Sequence, residues 1–505
     1  MMKQSSLTGY TIVSKSPAAV WVSPARVATR IDAQPFLPDL VELDDLIGSR
    51  DDCVLLGSKL DRRRGISGGA TPLGANYLTE GIHFIRTENV TPNWIELDEV
   101  VFISPADHEQ LRRSALQTDD VLLTITGALF GQSATVYSEC LPANISQHSV
   151  RIAFSSDMNP RFVSTYLNSR YGQAQIHIHK VGATRSAIDY EGVRAIKIPL
   201  PPRPVQEYIG AKVRLAERCR LQARELWSDA AHVLSQGSGI TLETKYFEQV
   251  DEKQVRSTSY QLVSATPMQA WVRQDLVEHE LGPQYFHPRR ANVILKLRTS
   301  GLELKRLTDL TSRRSDRITP ERITEVPYYV GLADIDTTTG YFEQKETARG
   351  NVLGTSALFK ANDILFSKLR PYLNKVAICP AHIPQACGST ELLVYRAHGT
   401  TLPYYVFFVL KSNLGLFQIL DVTTGSTLPR VDPEIVDDIL VPMIARKDQL
   451  SIDRNVRTTL HLRHQASLLV SEAKADFEAL VEGRLDVDGV MAGRVRPPTW
   501  DELEV

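Results

Sequence analysis

The chain has 505 residues, of which 43% are hydrophobic and 23% are charged, and its formal net charge is −2. These are ordinary values for a globular protein with room for about three domains. The near-neutral charge argues against a nonspecific nucleic-acid-binding protein, which usually carries a strongly basic domain, but it leaves DNA binding through local basic patches open.

The cysteine pattern and the N-terminal sequence predict where in the cell the protein is located. The five cysteines are scattered and form no CxxC pair, so we expect reduced thiols in a cytosolic protein. The first residues lack the apolar stretch of a secretory signal, and no run of about 18 apolar residues predicts a membrane span. The expectation is a cytoplasmic protein that makes no contact with a membrane.

The most informative pattern is an internal duplication. Residues of the second half match residues of the first half after subtraction of 243, without a gap, over more than a hundred positions. Nearer the N-terminus the offset is 250, so that Trp271 matches Trp21. Solenoid repeats are about 20–50 residues long, so this period predicts a duplicated domain and a pseudo-twofold molecule suited to a bipartite target. The matched pairs include Asp120 and Asp363, Gly182 and Gly425, Asp189 and Asp432, Pro199 and Pro442, and Gln206 and Gln449.

Both copies have the same predicted order of elements. Short β-rich runs predict strands, and apolar residues at helical spacing after a proline predict helices. A Gly-Thr loop, an aspartate turn and a strand ending in proline follow in each copy. The predicted strands are 121–125, 150–154, 363–366 and 391–394, and the predicted helices are 160–170 and 403–413.

A long helix is predicted after each copy. Apolar and small residues recur there at alternating spacings of four and three, which is the pattern of a heptad seam. A helix of some 32 residues would be about 48 Å long. Two helices of matched length on one chain most simply pair with each other, and an antiparallel pairing would place the two copies at opposite ends. The seam residues are Ile209, Val213, Ala216, Arg220, Ala223, Trp227, Ala230 and Leu234 in the first helix, and Ile452, Val456, Thr459, Arg463, Ala466, Val470, Ala473 and Phe477 in the second.

Each seam contains an arginine at the same position, Arg220 in one and Arg463 in the other. A charged residue inside a seam can fix the register and orientation of a helix pair. Alternatively, both arginines lie at the edge of the seam and extend their charged groups into solvent. Trp227 is either a core residue or a contact for a partner.

These patterns divide the chain into successive parts, with a tail that is expected to be irregular. The predicted parts are a first domain (1–202), a first long helix (203–235), a linker (236–259), a second domain (260–445), a second long helix (446–483) and the tail (484–505).

The order of motifs, present twice and followed each time by a helix, resembles the specificity subunit of type I restriction-modification systems over roughly residues 10–480. The second helix departs from the family pattern, because it begins VPMIARKDQ and lacks a double proline. The motifs that carry the resemblance are RIDAQPFLP at 30–38, DDVLLTITGALFG at 119–131, IPLPPRPVQ at 198–206, NDILFSKLRPYLNK at 362–375, and the Gly-Ala-Thr and Gly-Ser-Thr loops at 182–184 and 425–427.

The resemblance implies an α+β fold in which a pair of long antiparallel helices, forming a coiled coil, separates two target-recognition domains. It implies a non-catalytic prokaryotic subunit that recognises a split sequence in double-stranded DNA, as part of phage defence. Partners would be modification (methyltransferase) subunits, two in number, and restriction or translocase subunits. This chain would bind no cofactor, and S-adenosylmethionine would be bound by the methyltransferase.

Catalytic and metal signatures are weak in the sequence. The amino-methylation motif of the DPPY type and the phosphate-binding GxxxxGK loop are both missing. His177 and His179 alternate as on a strand and have no acidic partners at ligand spacing. Cys379, His382 and Cys387 resemble a fragment of a zinc site but lack a second ligand pair, so we predict no metal site.

Polar and basic loop residues are the candidates for DNA contact. Arginine can recognise guanine through two acceptors, while lysine and threonine can bind phosphate. Matched positions differ, with Ile125 opposite Lys368 and Gly127 opposite Arg370, which predicts an asymmetric target. The candidates are Arg62, Arg63, Arg64, Thr126, Thr184, Arg185 and Ser186 in the first copy, and Arg313, Arg314, Lys368, Arg370, Tyr372, Lys375, Thr427 and Arg430 in the second.

Each candidate could instead be an ordinary solvated surface residue. The recurrence of an arginine run in both copies, 62–64 in one and 313, 314, 317 and 322 in the other, favours a functional interpretation. Three alternatives to the specificity subunit of a methyltransferase or restriction complex remain at this point. They are the same DNA-recognition module serving another phage-defence enzyme, a protein-interaction scaffold, and an enzyme with unrecognised catalytic residues.

Overall fold

The computed structural model describes residues 10–15, 18–22, 27, 32–72, 74, 77–182, 186–240, 256–257, 260–265, 268–272, 283–342, 345–346 and 354–503. The chain divides into two compact units. Unit 1 comprises Met1–Arg218 and Gln465–Glu504, and unit 2 comprises Cys219–His464. Within the described residues, no helix has both the length and the apolar character needed to cross a bilayer.

Unit 1 is a mixed α+β body in which a four-stranded sheet of order β10-β9-β12-β4 and a three-stranded sheet of order β11-β5-β8 carry the core. Its strands are β1 (Tyr10–Lys15), β2 (Ala18–Val22), β3 (Cys53–Leu55), β4 (Ile66–Gly68), β5 (Ile82–Ile85), β6 (Val90–Thr91), β7 (Trp94–Ile95), β8 (Val101–Ile103), β9 (Val121–Thr124), β10 (Ser133–Thr135), β11 (Ala143–Ile145), β12 (Ser149–Ile152) and β13 (Lys197–Pro199). Its helices are α1 (Pro38–Gly48), α2 (Pro105–Gln110), α3 (Pro160–Asn168), α4 (Arg170–Ile178), α5 (Tyr190–Ala195) and the first part of α6 (Arg203–Ser238).

Unit 2 has a four-stranded sheet of order β18-β26-β23-β24 and a five-stranded sheet of order β19-β22-β25-β20-β21. Its strands are β14 (Arg256–Ser257), β15 (Tyr260–Ala265), β16 (Met268–Val272), β17 (Leu304–Arg306), β18 (Thr311–Arg314), β19 (Arg317–Ile318), β20 (Tyr328–Val330), β21 (Lys345–Glu346), β22 (Ser356–Lys360), β23 (Ile364–Ser367), β24 (Val376–Ile378), β25 (Gln385–Gly388), β26 (Leu392–Ala397) and β27 (Leu440–Pro442). Its helices are α7 (Pro288–Thr299), α8 (Leu307–Leu310), α9 (Pro403–Lys411), α10 (Asn413–Ile419), α11 (Pro433–Asp437) and the first part of α12 (Arg446–Val481), while α13 (Val487–Met491) belongs to unit 1.

The duplication is visible in the strand order. The central strands β9 and β23 hold equivalent places in the two four-stranded sheets, each between its hairpin partner and the strand that follows later in the chain. The hairpins β1-β2 and β15-β16 even share a register shift, after Ile12 in one and after Leu262 in the other. Such matching local irregularities are expected when two domains derive from one sequence. The predicted strands and the shorter predicted helices are confirmed.

The two long helices each have 36 residues, and each contributes to both units. In unit 2, the Thr459 hydroxyl donates to the Ala223 carbonyl at 3.2 Å. A Cβ atom added to Gly237 would lie 3.2 Å from the side chain of Ile444. The partner residue number falls as the number in α6 rises, so the helices pair antiparallel. The mixed α+β class and the long helix pair are confirmed, whereas the placement of the units at opposite ends stays a prediction.

The helix-pair seam contains residues of two kinds. Twelve positions are buried, while Arg220, Trp227, Arg463 and Val470 are partly exposed. Burial raises the pKa of the Asp336 carboxyl, but the charge of Arg463 and hydrogen bonds from Thr339 outweigh it, so the pKa is lowered. The guanidinium of Arg463 therefore acts on a carboxylate of the unit 2 body. The buried positions are Ile209, Val213, Ala216, Ala223, Ala230, Leu234, Ile452, Val456, Thr459, Ala466, Ala473 and Phe477.

Two sequence expectations are wrong. His177 and His179 do not alternate on a strand, because residues 170–178 form α4 and bury Tyr171, Ala174 and Gln175 at helical spacing. Two histidines separated by one residue can occur in a helix or in a strand, so their spacing alone could not distinguish these two elements. The tail is not wholly irregular either, because α13 forms there and buries Val490. The predicted domain boundaries stay a prediction, and most of the predicted linker lies outside the described residues.

Candidate nucleic-acid interface

Each unit brings two loops together beside its central strand. One loop follows the central strand, and the other contains the Gly-Thr sequence. We call these the paired loops. They comprise residues 125–132, 181, 182, 186 and 187 in unit 1, and residues 368–375 and 424–430 in unit 2.

Equivalent backbone bridges join the paired loops of each unit. Thr126 bridges Ala187 in unit 1, and Leu369 bridges Arg430 in unit 2. The residues of the second bridge are those of the first plus 243. The two units therefore hold these loops with one backbone arrangement.

Hydrogen bonds to the neighbouring strand repeat the match. The Ile125 amide donates to the His148 carbonyl at 2.9 Å, and the Lys368 amide donates to the Glu391 carbonyl at 3.0 Å. The same scaffold thus presents an apolar residue and a histidine in unit 1, where unit 2 has a lysine and a glutamate. The predicted chemical difference between equivalent positions is present in the structure.

Left-handed backbone positions are also shared, but different residues occupy them. Gly182 and Gly425 have φ values of 83° and 86°. In the other loop, Gly127 has φ 103°, while its counterpart Arg370 has φ 49°. Glycine adopts positive φ without steric cost, and arginine does not. Unit 2 therefore places a large cation at a turn that favours glycine.

The charged groups of the unit 2 loops are partly neutralised. Glu391 accepts from the Arg430 guanidinium at 3.0 Å and lies 3.9 Å from the Lys368 ammonium. The Lys375 ammonium donates to the Leu332 carbonyl at 2.5 Å. Glu391 was missed at the sequence level. The available sequence signal was its position 243 residues after His148, just before a strand that both copies share.

Apolar and polar tips extend from the same loops. The exposed fraction is 48% for Tyr372 and 43% for Leu428, and Thr427 is also exposed. Aromatic faces can stack on bases, and apolar side chains can contact base edges or steps. The loops of unit 2 thus combine cations, an aromatic ring and apolar tips.

The unit 1 loops are less charged. Thr126 and Ser186 are both half-buried. The other two candidates from the Gly-Thr loop, Thr184 and Arg185, lie outside the described residues.

The arginine run of unit 1 contains two kinds of side chain. Arg62 and Arg63 are exposed. Arg64 instead forms a two-point ion pair with Asp120, with N–O distances of 2.7 and 2.8 Å. Burial raises the pKa of Asp120, and Arg64 opposes this shift. The guanidinium of Arg64 is thus engaged inside the unit.

The candidate arginines of β18 in unit 2 also have acidic neighbours. The Arg313 guanidinium lies 3.2 Å from Asp437 and 3.5 Å from Glu434. Arg314 lies 3.4 Å from Asp316.

The two arginine runs are not equivalent in the fold, contrary to the sequence expectation. Arg151 on β12 faces Ser67, and its counterpart Val394 on β26 faces Arg314. Arg314 is therefore the counterpart of Ser67 and not of any residue in 62–64. The local offset differs from 243 in this region, where insertions separate the two copies, so a recurring arginine run did not mark a recurring position.

A buried lysine supports the unit 2 loops and was also missed. Lys411 donates to the Asn374 carbonyl at 2.6 Å and to the Asp336 carbonyl at 3.2 Å. The Asn374 side chain donates in return to the Lys411 carbonyl at 2.8 Å. Burial lowers the pKa of Lys411 to about 7. A lysine at the end of the apolar run YYVFFVLK was the available sequence signal.

Cys379, His382 and Cys387, which resemble a fragment of a zinc site, lie in unit 2. Burial raises the pKa of the Cys379 thiol to about 12 and that of Cys387 to about 11, so neither favours the thiolate that binds metals. His382 stacks on His464 with ring centroids 4.8 Å apart. Among the described residues, no group of three or more histidine, cysteine or acidic side chains is arranged to hold a metal ion.

Comparisons with known proteins give structural matches only. No family model and no curated protein matches the chain. A type I restriction-modification S subunit from M. genitalium is similar, with 11% identity, 88% of this chain and 96% of that chain covered, and a TM-score of 0.38. The HsdS subunit from Thermoanaerobacter tengcongensis shows 14% identity, 88% and 97% coverage, and a TM-score of 0.26.

A structure reported for complex assembly and conformational transition of the type I R-M system also matches, with 14% identity, 88% and 98% coverage, and a TM-score of 0.26.

Proposed function

We propose that this chain is the sequence-specificity subunit of a type I restriction-modification complex. It recognises a bipartite sequence in double-stranded DNA and directs methyltransferase and restriction subunits to that sequence. The observation that carries the proposal is the repeated paired-loop backbone. One scaffold occurs in both units with different side chains at equivalent positions, such as Ile125 and Lys368.

Two similar scaffolds with different side chains suit two unlike half-sites. DNA half-sites one turn apart are separated by about 34 Å. A 36-residue helix is about 54 Å long, so the antiparallel pair is long enough to define an unread gap. In this proposal the helix pair also binds the methyltransferase subunits, two per complex, and S-adenosylmethionine is bound by those subunits.

The chemistry of the loops favours DNA over a protein partner. The unit 2 loops carry Lys368, Arg370, Lys375 and Arg430 within a single loop pair. A protein-interaction scaffold would be expected to present an apolar surface there. Beside the exposed Leu428, the loops present cations and one aromatic ring, which are groups that bind phosphates and bases.

Single-molecule sequencing of adenine methylation tests the proposal. Cells that carry this gene with its neighbours are compared with cells in which only this gene is deleted. We expect a bipartite motif with a fixed unread gap that disappears in the deletion. Unchanged methylation would contradict the methyltransferase assignment.

Salt-dependent DNA binding of the purified complex provides the second measurement. Each phosphate contact should contribute about 0.9 to the slope of log K against log salt. Binding without methylation would indicate a DNA-recognition module that serves a different defence enzyme. Absence of both would leave the interaction scaffold.

A further inference from the structure

Arg370 is the most unusual residue of the paired loops. Its backbone is left-handed, with φ 49° and ψ 60°, at the position where unit 1 has Gly127. A non-glycine residue in this conformation carries a steric cost that the surrounding structure must offset. Glycine would adopt this conformation without that cost, so we expect the arginine side chain to have a role at this position.

The backbone of Arg370 is held firmly by its neighbours. Its amide donates to the Pro429 carbonyl of the other loop at 2.7 Å. Its carbonyl accepts from the Leu373 amide at 2.9 Å, and the buried Pro371 follows directly. The direction in which the side chain leaves the loop is therefore fixed before any ligand binds.

Among the described residues, Arg370 is the cation of this cluster with a buried donor that has no partner. Arg430 and Lys368 share Glu391, and Lys375 donates to a backbone carbonyl. Within the part of the chain that the structure describes, the Arg370 Nε is buried and has no hydrogen-bond partner. A buried donor left without an acceptor is costly. A rotamer change that brings the guanidinium to an external acceptor would remove that cost.

We infer that Arg370 is the specificity-determining residue of unit 2 and recognises a guanine through its two major-groove acceptors. The inference rests on the proposed function. The guanidinium is a planar fork that matches O6 and N7 of guanine. Unit 1 has no side chain at the equivalent Gly127, so this contact belongs to one half of the target.

The test uses Arg370→Gly, which removes the side chain and restores the residue that unit 1 uses at this turn. The variant keeps the left-handed backbone available, so the loop is expected to fold. The control is Arg298→Ala, which removes an exposed arginine of α7 in the same unit and makes the same change in net charge. Both variants are assayed in the full complex with its partner subunits.

Methylation sequencing should show that Arg370→Gly relaxes one G·C position in one half of the motif and leaves the other half intact. Competition binding to duplexes substituted at that position should show the wild-type preference for guanine, roughly 5- to 150-fold, reduced to near unity in the variant. Arg298→Ala should retain the wild-type preference. The binding assay remains decisive if the variant no longer methylates.

Several results would overturn the inference. One is a wild-type motif without a G·C pair in either half. A second is an unchanged guanine preference in Arg370→Gly. A third is a uniform loss of affinity for all sequences with a salt slope reduced by about one, which would identify a phosphate contact. Failure of the proposed function is distinct, because the wild-type complex would then produce no bipartite motif at all.

Discussion

At the scale of single residues, equivalent aspartates of the two units have the same structural role but form ion pairs with different arginines. Asp120 and Asp363 are both buried, and each accepts from a backbone amide three residues earlier at 2.8 Å. Asp120 is paired with Arg64 from the segment before β4, whereas Asp363 is paired with Arg396 on β26. Both units therefore bury a carboxylate at this position, but the arginine that neutralises it comes from a different segment in each unit.

Lys411 gives unit 2 a pH-dependent stability. Burial lowers its pKa from the usual 10.5 to about 7, so the unfolded chain binds more protons than the folded chain between these values. The free energy of unfolding should therefore rise with pH across that window and lose this contribution as pH falls towards 7. Urea unfolding of the wild type and of Lys411→Met at about pH 7.5 and about pH 9.5 gives the free energy of unfolding at each pH. The comparison shows how steeply the stability of each protein depends on pH.

Lys411→Met cannot titrate at this position, so it should show the shallower dependence on pH. Near pH 7.5 it loses two hydrogen bonds but also removes the cost of taking a proton from the lysine on folding. Parallel pH profiles for the two proteins would contradict this account of Lys411.

At the scale of elements, the helix pair depends on small residues at the points of closest approach. Ala223 and Thr459 are fully buried, and the hydroxyl of one helix reaches the backbone of the other at 3.2 Å. In unit 1, the buried Lys212 ammonium lies 2.7 Å from Asp476 and 3.1 Å from Glu472. Close packing and a cross-helix ion pair together fix the register of α6 against α12.

Ala223→Leu should destabilise the helix pair by about 1–3 kcal/mol, because the larger side chain has no space against α12. Ala231→Leu is the matched control, since Ala231 is exposed on the same helix and leucine has nearly the same helix propensity as alanine. Chemical denaturation of both variants measures the difference. Equal stability of the two would show that α6 and α12 are not tightly packed at Ala223.

At the scale of the whole molecule, unit 1 is assembled from both ends of the chain. Phe477 of α12 is fully buried, with its ring centroid 5.1 Å from Phe162 and 5.2 Å from Tyr166. The Arg50 guanidinium donates to the Leu480 carbonyl at 3.0 Å. The core of the N-terminal unit is therefore incomplete without residues more than three hundred positions later in the chain.

Phe477→Ala should destabilise unit 1 by about 3–5 kcal/mol, because it leaves a cavity among aromatic residues. Hydrogen exchange followed by mass spectrometry should show the loss of protection in α3 of unit 1 and much less change in α9 of unit 2. Leu468→Ala, at an exposed position of the same helix, should leave both unchanged. Equal loss of protection in α3 and α9 would contradict separate units.

The sequence alone determined the duplication, the position of the principal strands and the two long helices. These features follow from local periodicity and from the matched spacing of residues such as Gly182 and Gly425, and both signals are carried by neighbours in the chain. The chemical contrast between Ile125 and Lys368 was also visible at this level.

Tertiary structure decided which of the candidate cations are engaged and which are not. Arg64 and Arg430 lie in basic stretches similar to that of Arg370. They form ion pairs with the carboxylates of Asp120 and Glu391. Those carboxylates come from distant segments, and the left-handed backbone at Arg370 depends on a bond to the other loop. Pairing between segments far apart in the chain is a property of the folded core, and no local pattern in the sequence encodes it.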